Sequence, residues 1–440
     1  MREKYDVGII GAGVLGVTAA LWLSSLTCCS IALIDKEMKV AAHTTSRNTG
    51  VVHRPFYLNP EKKRVFARAA QKSYFLWSSL AKRFHLAWSE VGTLEVAIED
   101  PQLKTLNRYL DWAMKNGMEE NEVELLNASE VQDLEPPVKC VGAIHSKRDT
   151  GVDYGELTGC VSDLAMKHGV EFLGGQEVKG IEEHSGGVTL DIRTPSNKSA
   201  KISCEFLLNL AGGNSMDLAH QLGLAKEYTD LHFRGEYWIV EPGFGKRLTK
   251  NIYSVARHTE FPFLDPHFIV RANGRREVGP NAVLVSGPNA YKGLPSSPIE
   301  FLEKIFERPN SPKLKLFTNS QFLTLVWQEW RSSSSKKQMC YRVKQFIPSL
   351  EVNYLCERGL SGVRSSVIDG NGFVPEAIIL EGRKSLHVLN YNSPGATGAP
   401  AFSAYIVRKL LDEGHIQNTA AERMDLAQEI GWDFETAADL

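Results

Sequence analysis

The stretch Tyr5-Asp-Val-Gly8-Ile-Ile10-Gly11-Ala-Gly13-Val-Leu-Gly16 decides the fold, because each residue type in it has its own physical task. Tyr5 to Ile10 is a short apolar run of the kind buried in a parallel sheet. Gly11, Gly13 and Gly16 follow in the spacing GxGxxG. The first allows a tight turn, the second lets backbone approach a pyrophosphate, and the third lets the next helix lie against the strand. Val14 to Leu26 reads as that helix, whose N-terminus offers unpaired N–H groups and a positive dipole end to phosphates. Ser30 to Ile34 reads as a second strand closing on Asp35-Lys36. An acid there accepts hydrogen bonds from ribose hydroxyls and repels a 2′-phosphate. Strand, glycine turn, helix and acid together spell a βαβ unit for an ADP-containing dinucleotide, with NAD and FAD both open.

Val7 to Leu26 is almost uncharged and follows Arg2 and Lys4, as a signal peptide or membrane anchor would. Four glycines break it and a second apolar strand follows, so buried core is expected and the chain reads as soluble. With 440 residues the chain is long enough for two or three domains. Apolar residues at 43% and charged residues at 23% exclude a collagen-like, disordered or coiled-coil chain. Fifty basic against 52 acidic residues leave a net charge of −2, so no global field attracts nucleic acid. The seven cysteines are odd in number, scattered and without a CxxC, which argues against a disulfide scaffold or a metal site and for a cytoplasmic setting.

The segment after the second strand favours a flavin. Ala41-Ala-His43-Thr44-Thr45-Ser46-Arg47-Asn48-Thr49-Gly50-Val-Val-His53 is a run of small, hydroxyl-bearing residues suited to packing against pyrophosphate and a ring edge. A basic amphipathic helix follows, from about Pro60 to Phe84, where an NAD dehydrogenase would continue into another βα unit. Gly151-Val-Asp153-Tyr154 precedes a helix over Glu156 to His168, then strands around Val170 to Leu173 and Val178, with a hairpin turn at Gly186-Gly187. Phe206 to Leu210 is an apolar strand closing on Ala211-Gly212-Gly213. Leu386 to Tyr391 leads into a second glycine-rich helix start, Gly395-Ala396-Thr397-Gly398, whose N-terminus would stabilise an anionic reduced ring.

On these residues the chain resembles the FAD-dependent amine and hydroxy-acid oxidoreductases of glycine-oxidase or D-amino-acid-oxidase-like fold. Within them it is most similar to the L-2-hydroxyglutarate dehydrogenase/oxidase group. The resemblance runs from Tyr5 to about Leu411. It rests on His43-to-His53, Phe233-Arg234-Gly-Glu236-Tyr237, Ile252-Tyr253-Ser-Val, Phe261-to-Phe268, Gly279-Pro-Asn281-Ala-Val-Leu284, Ser361-Gly-Val-Arg364 and Ser393-to-Thr397. The chain departs from that pattern where Arg54-Pro55-Phe56 replace small residues after His53, where Ser254 and Ala256 replace prolines, and at Arg47.

The implied fold is α/β, with an FAD-binding Rossmann-like domain and an antiparallel-sheet substrate domain. The implied cofactor is non-covalent FAD, held by Gly11, Gly13, Gly16, Asp35, Lys36, His43, Thr45, Ser46, Asn48, Gly50, Val178, Ala211, Gly212, Gly395, Ala396 and Thr397. The implied chemistry is oxidation of a 2-hydroxy acid, L-2-hydroxyglutarate first. Such chemistry needs a base for the hydroxyl proton and a cation for the carboxylate. His53 is the expected base and Arg364 the expected carboxylate clamp, since a guanidinium matches a carboxylate with two parallel hydrogen bonds. Tyr237, His267 and Arg54 are expected to bind substrate. An amino-acid or secondary-amine oxidase on the same fold is the alternative. A non-catalytic or RNA-modifying flavoprotein is disfavoured by the neutral charge.

The expected acceptor is a quinone, another carrier or oxygen. Lys313 to Lys315 and Lys336 to Lys344, interleaved with Trp327, Trp330, Tyr341 and Phe346, read as a helical subdomain with a solvated basic side. The sharper reading is a docking face at the inner side of a membrane. Ser332 to Ser335 read as a flexible loop tip. The expected FAD-binding domain takes 1–90, 140–225 and 355–415. The substrate domain takes 91–139 and 226–354 with a helical insert at 298–350, and 416–440 form a polar, acidic tail.

Overall fold

Strands with apolar residues on both faces must lie between two layers, and the first strand, Lys4–Ile10, meets that condition. In the computed structural model, which describes residues 4–257, 261, 265–293, 298–417 and 425–440, it is the centre of an eight-stranded sheet. Ile31–Ile34 and Ser199–Asn209 flank it in parallel, followed outward by Glu171–Leu173 and Ser385–Leu389, also parallel. Ile378–Glu381 closes one edge antiparallel. The strands Glu177–His184 and Gly187–Arg193 form the expected hairpin and add to Ser199–Asn209. The turn requires glycine at Gly187, because φ is +140° and a Cβ would lie 2.2 Å from the Cys204 carbonyl oxygen.

The helices Val14–Leu26, Tyr154–Lys167 and Gly395–Asp412 pack together against this sheet, and the long helix Arg64–Phe84 packs on Gly395–Asp412. At that crossing a Cβ on Gly398 would meet Ala69 at 3.0 Å.

A second eight-stranded sheet contains Leu355–Arg358, Trp238–Val240, Arg276–Gly279, His267–Val270, Asn251–Ser254, Thr93–Ala97, Gly142–Ser146 and Val123–Asn127 in that order. Its pairs are antiparallel except Asn251–Ser254 with Thr93–Ala97, which run parallel. A four-stranded sheet joins Val283–Val285, Thr229–Gly235, Gly362–Asp369 and Gly372–Phe373.

These pairings move two of the expected boundaries. Gly142–Ser146 falls within the 140–225 segment yet bonds into the second sheet. Leu355–Arg358 and Gly362–Asp369 fall within 355–415, yet pair with the second and four-stranded sheets. Hydrogen-bond partners, not chain order, decide which lobe a strand joins, and each of these strands finds its partner across the crossover.

Four helices occupy Pro298–Phe306, Ser311–Phe317, Ser320–Ser334 and Lys336–Val343. Ser332 to Ser334 are helical and Ser332 is buried, accepting from the Asn281 amide, so the expected loop tip is a helix end. The expected polar tail is likewise corrected. Leu426–Ile430 and Phe434–Ala438 are short helices, and between them Trp432 is buried against Trp22 and Trp77, with ring centroids 5.5 and 5.8 Å away. Its indole N–H donates to the Leu76 carbonyl at 2.8 Å. The acidic side chains face outward while one apolar face seals the core, which composition alone does not separate. Residues 418–424 of that segment, and 262–264 of the Phe261-to-Phe268 stretch, lie outside the described residues. Among the described residues no helix is long and apolar enough to cross a membrane.

Trp432→Ala should cost about 3–5 kcal/mol of stability, read as a fall in the urea midpoint.

Candidate active site

The glycine turn is built as the sequence requires. Gly11 has φ +102°, and a Cβ there would lie 2.5 Å from the Leu210 carbonyl oxygen. A Cβ on Gly16 would lie 1.9 Å from the Gly11 oxygen, so the helix can approach the strand only with glycine at this position. Asp35 fastens the turn: Oδ2 accepts from the Ala12 N–H at 2.7 Å and Oδ1 from Glu37 N–H at 2.8 Å. The Val14 N–H donates to Thr45 Oγ1 at 3.0 Å, which joins the loop after the second strand to the helix start.

These residues line one long cleft, together with His43, Asn48, Ala211, Gly212, Gly395, Ala396 and Thr397. Two helix N-termini open into it, at Val14 and at Gly395. Neither has a side-chain cap or an acid in its first turn. The first suits a pyrophosphate and the second an electron-rich ring edge. A Cβ on Gly13 would meet only Thr45 Oγ1, at 3.3 Å, so the backbone there is open to a close-lying group. The cleft therefore fits an adenine dinucleotide.

Thr397 ties the second helix start to the chain around His53. Its hydroxyl oxygen accepts from the His53 N–H at 3.2 Å and from or to Tyr154 at 3.0 Å, while Trp77 donates to its carbonyl at 3.0 Å. His53 also lines the cleft, and its Nδ1 lies 3.0 Å from Asp149 Oδ2. Asp149 is fully buried and accepts further hydrogen bonds from Thr93 Oγ1 at 2.9 Å, Ser146 Oγ at 2.6 Å and the Arg54 N–H at 3.0 Å. With Nδ1–H bound to a carboxylate, Nε2 is the free acceptor of the ring. Tyr57 and Tyr253 set their edges against the imidazole at 5.9 Å each, and burial raises both phenols above their ordinary range. Glu95, on the strand beside them, is pushed up to about 8 by burial and then by Asp149.

Arg364 lines the same cleft from the four-stranded sheet. Burial lowers its pKa, and the groups acting on it electrostatically are the phenols of Tyr237 and Tyr57. Among the described residues it has no acidic partner. Tyr237 lines the cleft from the link between two strands, and burial pushes its phenol up to about 12.

The structure corrects several expected positions. Arg54 is fully buried outside the cleft, its Nη2 bonded to both oxygens of Glu122 at 2.8 and 3.0 Å and its guanidinium 4.4 Å over the Tyr74 ring. It braces the fold instead of binding substrate. His267 stands behind Tyr253, rings stacked at 3.8 Å, and does not line the cleft. Burial, then the charges of His53, Arg342 and Arg364, lower its pKa well below the ordinary value, so it is neutral. Lys36, Ser46, Gly50 and Val178 are also absent from the lining. Ser46 donates to the Ala41 carbonyl, Gly50 makes a positive-φ turn, and Val178 packs on the core around Tyr5. Gly16 acts through packing alone. Asp149, Tyr57 and Tyr253 surround His53 without lining the cleft, and sequence reading left them unassigned.

The model of the FAD dependent oxidoreductase (DAO) family matches residues 6–409. The chain belongs to this family. It is similar to L-2-hydroxyglutarate dehydrogenases named mitochondrial from Caenorhabditis briggsae, 28% identical over 93% of each chain, and from Homo sapiens, 27% identical over 92% of this chain and 88% of the relative. The Escherichia coli K12 L-2-hydroxyglutarate dehydrogenase is 27% identical, with 92% and 93% covered. The fold matches that of L-α-glycerophosphate oxidase from Mycoplasma pneumoniae, dithionite-reduced with FAD bound, at TM-score 0.72 and 21% identity, covering 93% and 95% of the two chains. Glycine oxidase from Geobacillus kaustophilus matches at TM-score 0.68 and 16% identity, with 97% and 98% covered. Membership makes the chain an FAD-dependent oxidoreductase.

Both ring nitrogens of His43 are engaged, Nδ1 by the Tyr291 hydroxyl at 2.7 Å and Nε2 by Glu37 at 2.9 Å. No nitrogen is left for a bond to the flavin. Acid precipitation of the purified protein should therefore leave its flavin in the supernatant; flavin pelleting with the protein would show a covalent link.

Proposed function

We propose that the chain oxidises a 2-hydroxy acid to the 2-oxo acid, with L-2-hydroxyglutarate the first candidate and 2-oxoglutarate the product. The observation that carries this reading is the pairing, in one cleft, of a carboxylate-oriented His53 with an Arg364 that lacks any acidic partner among the described residues. The names of the curated relatives support the choice of substrate.

Arg364 holds the C1 carboxylate with two parallel hydrogen bonds, and desolvation strengthens that contact. His53 Nε2 accepts the proton of the C2 hydroxyl. Asp149 then faces an imidazolium across the 3.0 Å contact to Nδ1, stabilising the charge as it forms. Tyr57, Tyr253 and Tyr237 exclude water around the reacting carbon. FAD, when bound, supplies the acceptor for the hydride leaving C2.

The same clamp suits a 2-amino acid or secondary amine, and the fold shared with glycine oxidase favours that as a second reading. Electrons would leave the flavin for a quinone, a carrier protein or oxygen. Ile299, Leu302 and Phe306 form an exposed apolar stripe on one helix, near in sequence to the exposed cations Arg308 and Lys315. That composition supports a peripheral contact with an anionic membrane face, for which co-sedimentation with anionic vesicles is the test. The odd number and scattered spacing of the cysteines, without a CxxC, support a cytoplasmic setting.

Anaerobic addition of L-2-hydroxyglutarate should bleach the flavin, whereas glycine, sarcosine and D-amino acids should not. Bleaching by an amine alone would replace the first reading with the second. His53→Ala should slow that bleaching by on the order of 10²-fold or more. Asp149→Asn should slow it as well, through the wrong tautomer at His53, and a normal reduction rate in both variants removes His53 as the base.

A further inference from the structure

The fold leaves the cleft wall with unmatched positive charge. The lining holds two acids among the described residues, and both are engaged. Asp35 accepts from the N–H groups of Ala12 and Glu37, and Asp230 pairs with the Lys304 ammonium at 2.5 Å. The lining also holds two guanidiniums, Arg47 and Arg364, and among the described residues neither has an acid in contact. The guanidinium of Arg47 makes one long hydrogen bond, from Nε to the Ala42 carbonyl at 3.4 Å. Both of its Nη groups are open to a ligand.

Backbone geometry brings the two side chains to one stretch of wall. Arg364 follows Gly362 by two residues on the strand Gly362–Asp369, so both positions face the same side, about 7 Å apart. Gly362 abuts the Arg47 segment: a Cβ there would lie 1.9 Å from the Arg47 carbonyl oxygen and 3.3 Å from the Arg47 Cβ. The Thr44 hydroxyl donates to the Val363 carbonyl at 2.9 Å and locks loop and strand together. The stems of Arg47 and Arg364 therefore leave the wall within about 10 Å of each other, with Gly362 lining the cleft between them. Tyr291 aims Arg47, whose guanidinium lies 4.5 Å over its ring. That ring is fixed by His43 at 2.7 Å from its hydroxyl and by the Ser361 hydroxyl, which donates to the Tyr291 carbonyl.

One carboxylate satisfies one guanidinium, so two open guanidiniums on one wall match a ligand with two anionic groups. A dinucleotide pyrophosphate is served elsewhere in the cleft. The loop residue that reaches the helix start at Val14 is Thr45, whereas Arg47 turns to Tyr291. We propose that Arg47 is the second carboxylate-binding residue of the substrate site, so that a dicarboxylic acid is held with one carboxylate on Arg364 and the other on Arg47. This rests on the role given to Arg364 above. It makes Arg47 a specificity-determining residue: a monocarboxylic 2-hydroxy acid engages one guanidinium, and a dicarboxylic one engages two.

The test uses the flavin-loaded enzyme and its variants Arg47→Leu and Arg47→Lys. Arg47→Leu should raise KM for L-2-hydroxyglutarate about 10- to 100-fold. KM for 2-hydroxybutyrate, which lacks the distal carboxylate, should stay within about 2-fold. Arg47→Lys keeps the charge and should fall between wild type and Arg47→Leu. Equal weakening of both substrates would reduce Arg47 to a structural residue, or to a cofactor ligand if the flavin-to-protein ratio falls as well. An unchanged KM for L-2-hydroxyglutarate would remove it from the site. Binding of glutarate against butyrate, read as a shift of the oxidised flavin spectrum, is independent of turnover. Wild type should bind glutarate at least about 10-fold more tightly than butyrate, and Arg47→Leu should erase that difference. A wild type without the preference, or a variant that keeps it, overturns the proposal. If the wild type is reduced by amines and not by 2-hydroxy acids, the reading of the reaction fails, while the glutarate comparison still decides Arg47.

Discussion

Four hydrogen bonds converge on the buried carboxylate of Asp149, and they come from both lobes. Thr93 and Ser146 belong to the second sheet, while His53 and the Arg54 N–H belong to the chain leaving the flavin-side loop. A buried carboxylate is tolerated only when its lone pairs are satisfied in this way. Asp149 therefore ties the His53 segment to the second sheet, and the imidazole at that junction is held by the whole network. The strand pair Val51–Val52 with Thr150–Gly151 holds the two arms of the junction in register.

Around that junction the charges sort by whether they are matched. Arg54 lies against Glu122, which Arg148 also approaches at 3.2 Å, and Arg271 pairs with Glu277. Such pairs match their charges within the fold. Arg364 and Arg47 line the cleft with no acid paired to either among the described residues, Arg47 lying over the Tyr291 ring. The contrast between Arg54 and Arg364 shows that a buried arginine indicates a ligand only when the fold supplies no acid for it.

The glycine turn was legible in sequence because its requirements are local: Gly11, Gly13, Gly16 and Asp35 constrain one another within a single βαβ unit. The second glycine-rich helix start, His53 and Arg364 were readable through motifs that carry a family pattern. Asp149 was not, because it stands in the short link between two strands and its partner His53 is 96 residues away. Arg54 was misplaced because it is adjacent to His53. In extended backbone, with φ −81° and ψ 148° at Arg54, neighbouring side chains point to opposite sides, so one faces the cleft and the other the core. His267 sits on a strand of the second sheet, stacked on Tyr253 of the neighbouring strand, and does not reach the cleft lining. The buried face of 425–440 was hidden by acidic composition, which describes the outer side of a short helix and not the tryptophan beneath.

Trp432 packs edge-on against Trp77, and Trp77 donates to the carbonyls of Ala396 and Thr397 at the helix start that opens into the cleft. The opening strand meanwhile takes its neighbours from residues around 31 and 203–209. A pocket assembled from such distant stretches cannot form piecemeal during synthesis. The emerging βαβ unit must wait, with its glycine-lined seat incomplete, until the later segments arrive to roof it. A dinucleotide held in that cleft would bridge stretches far apart in the chain, so its binding would add to the stability of the folded state.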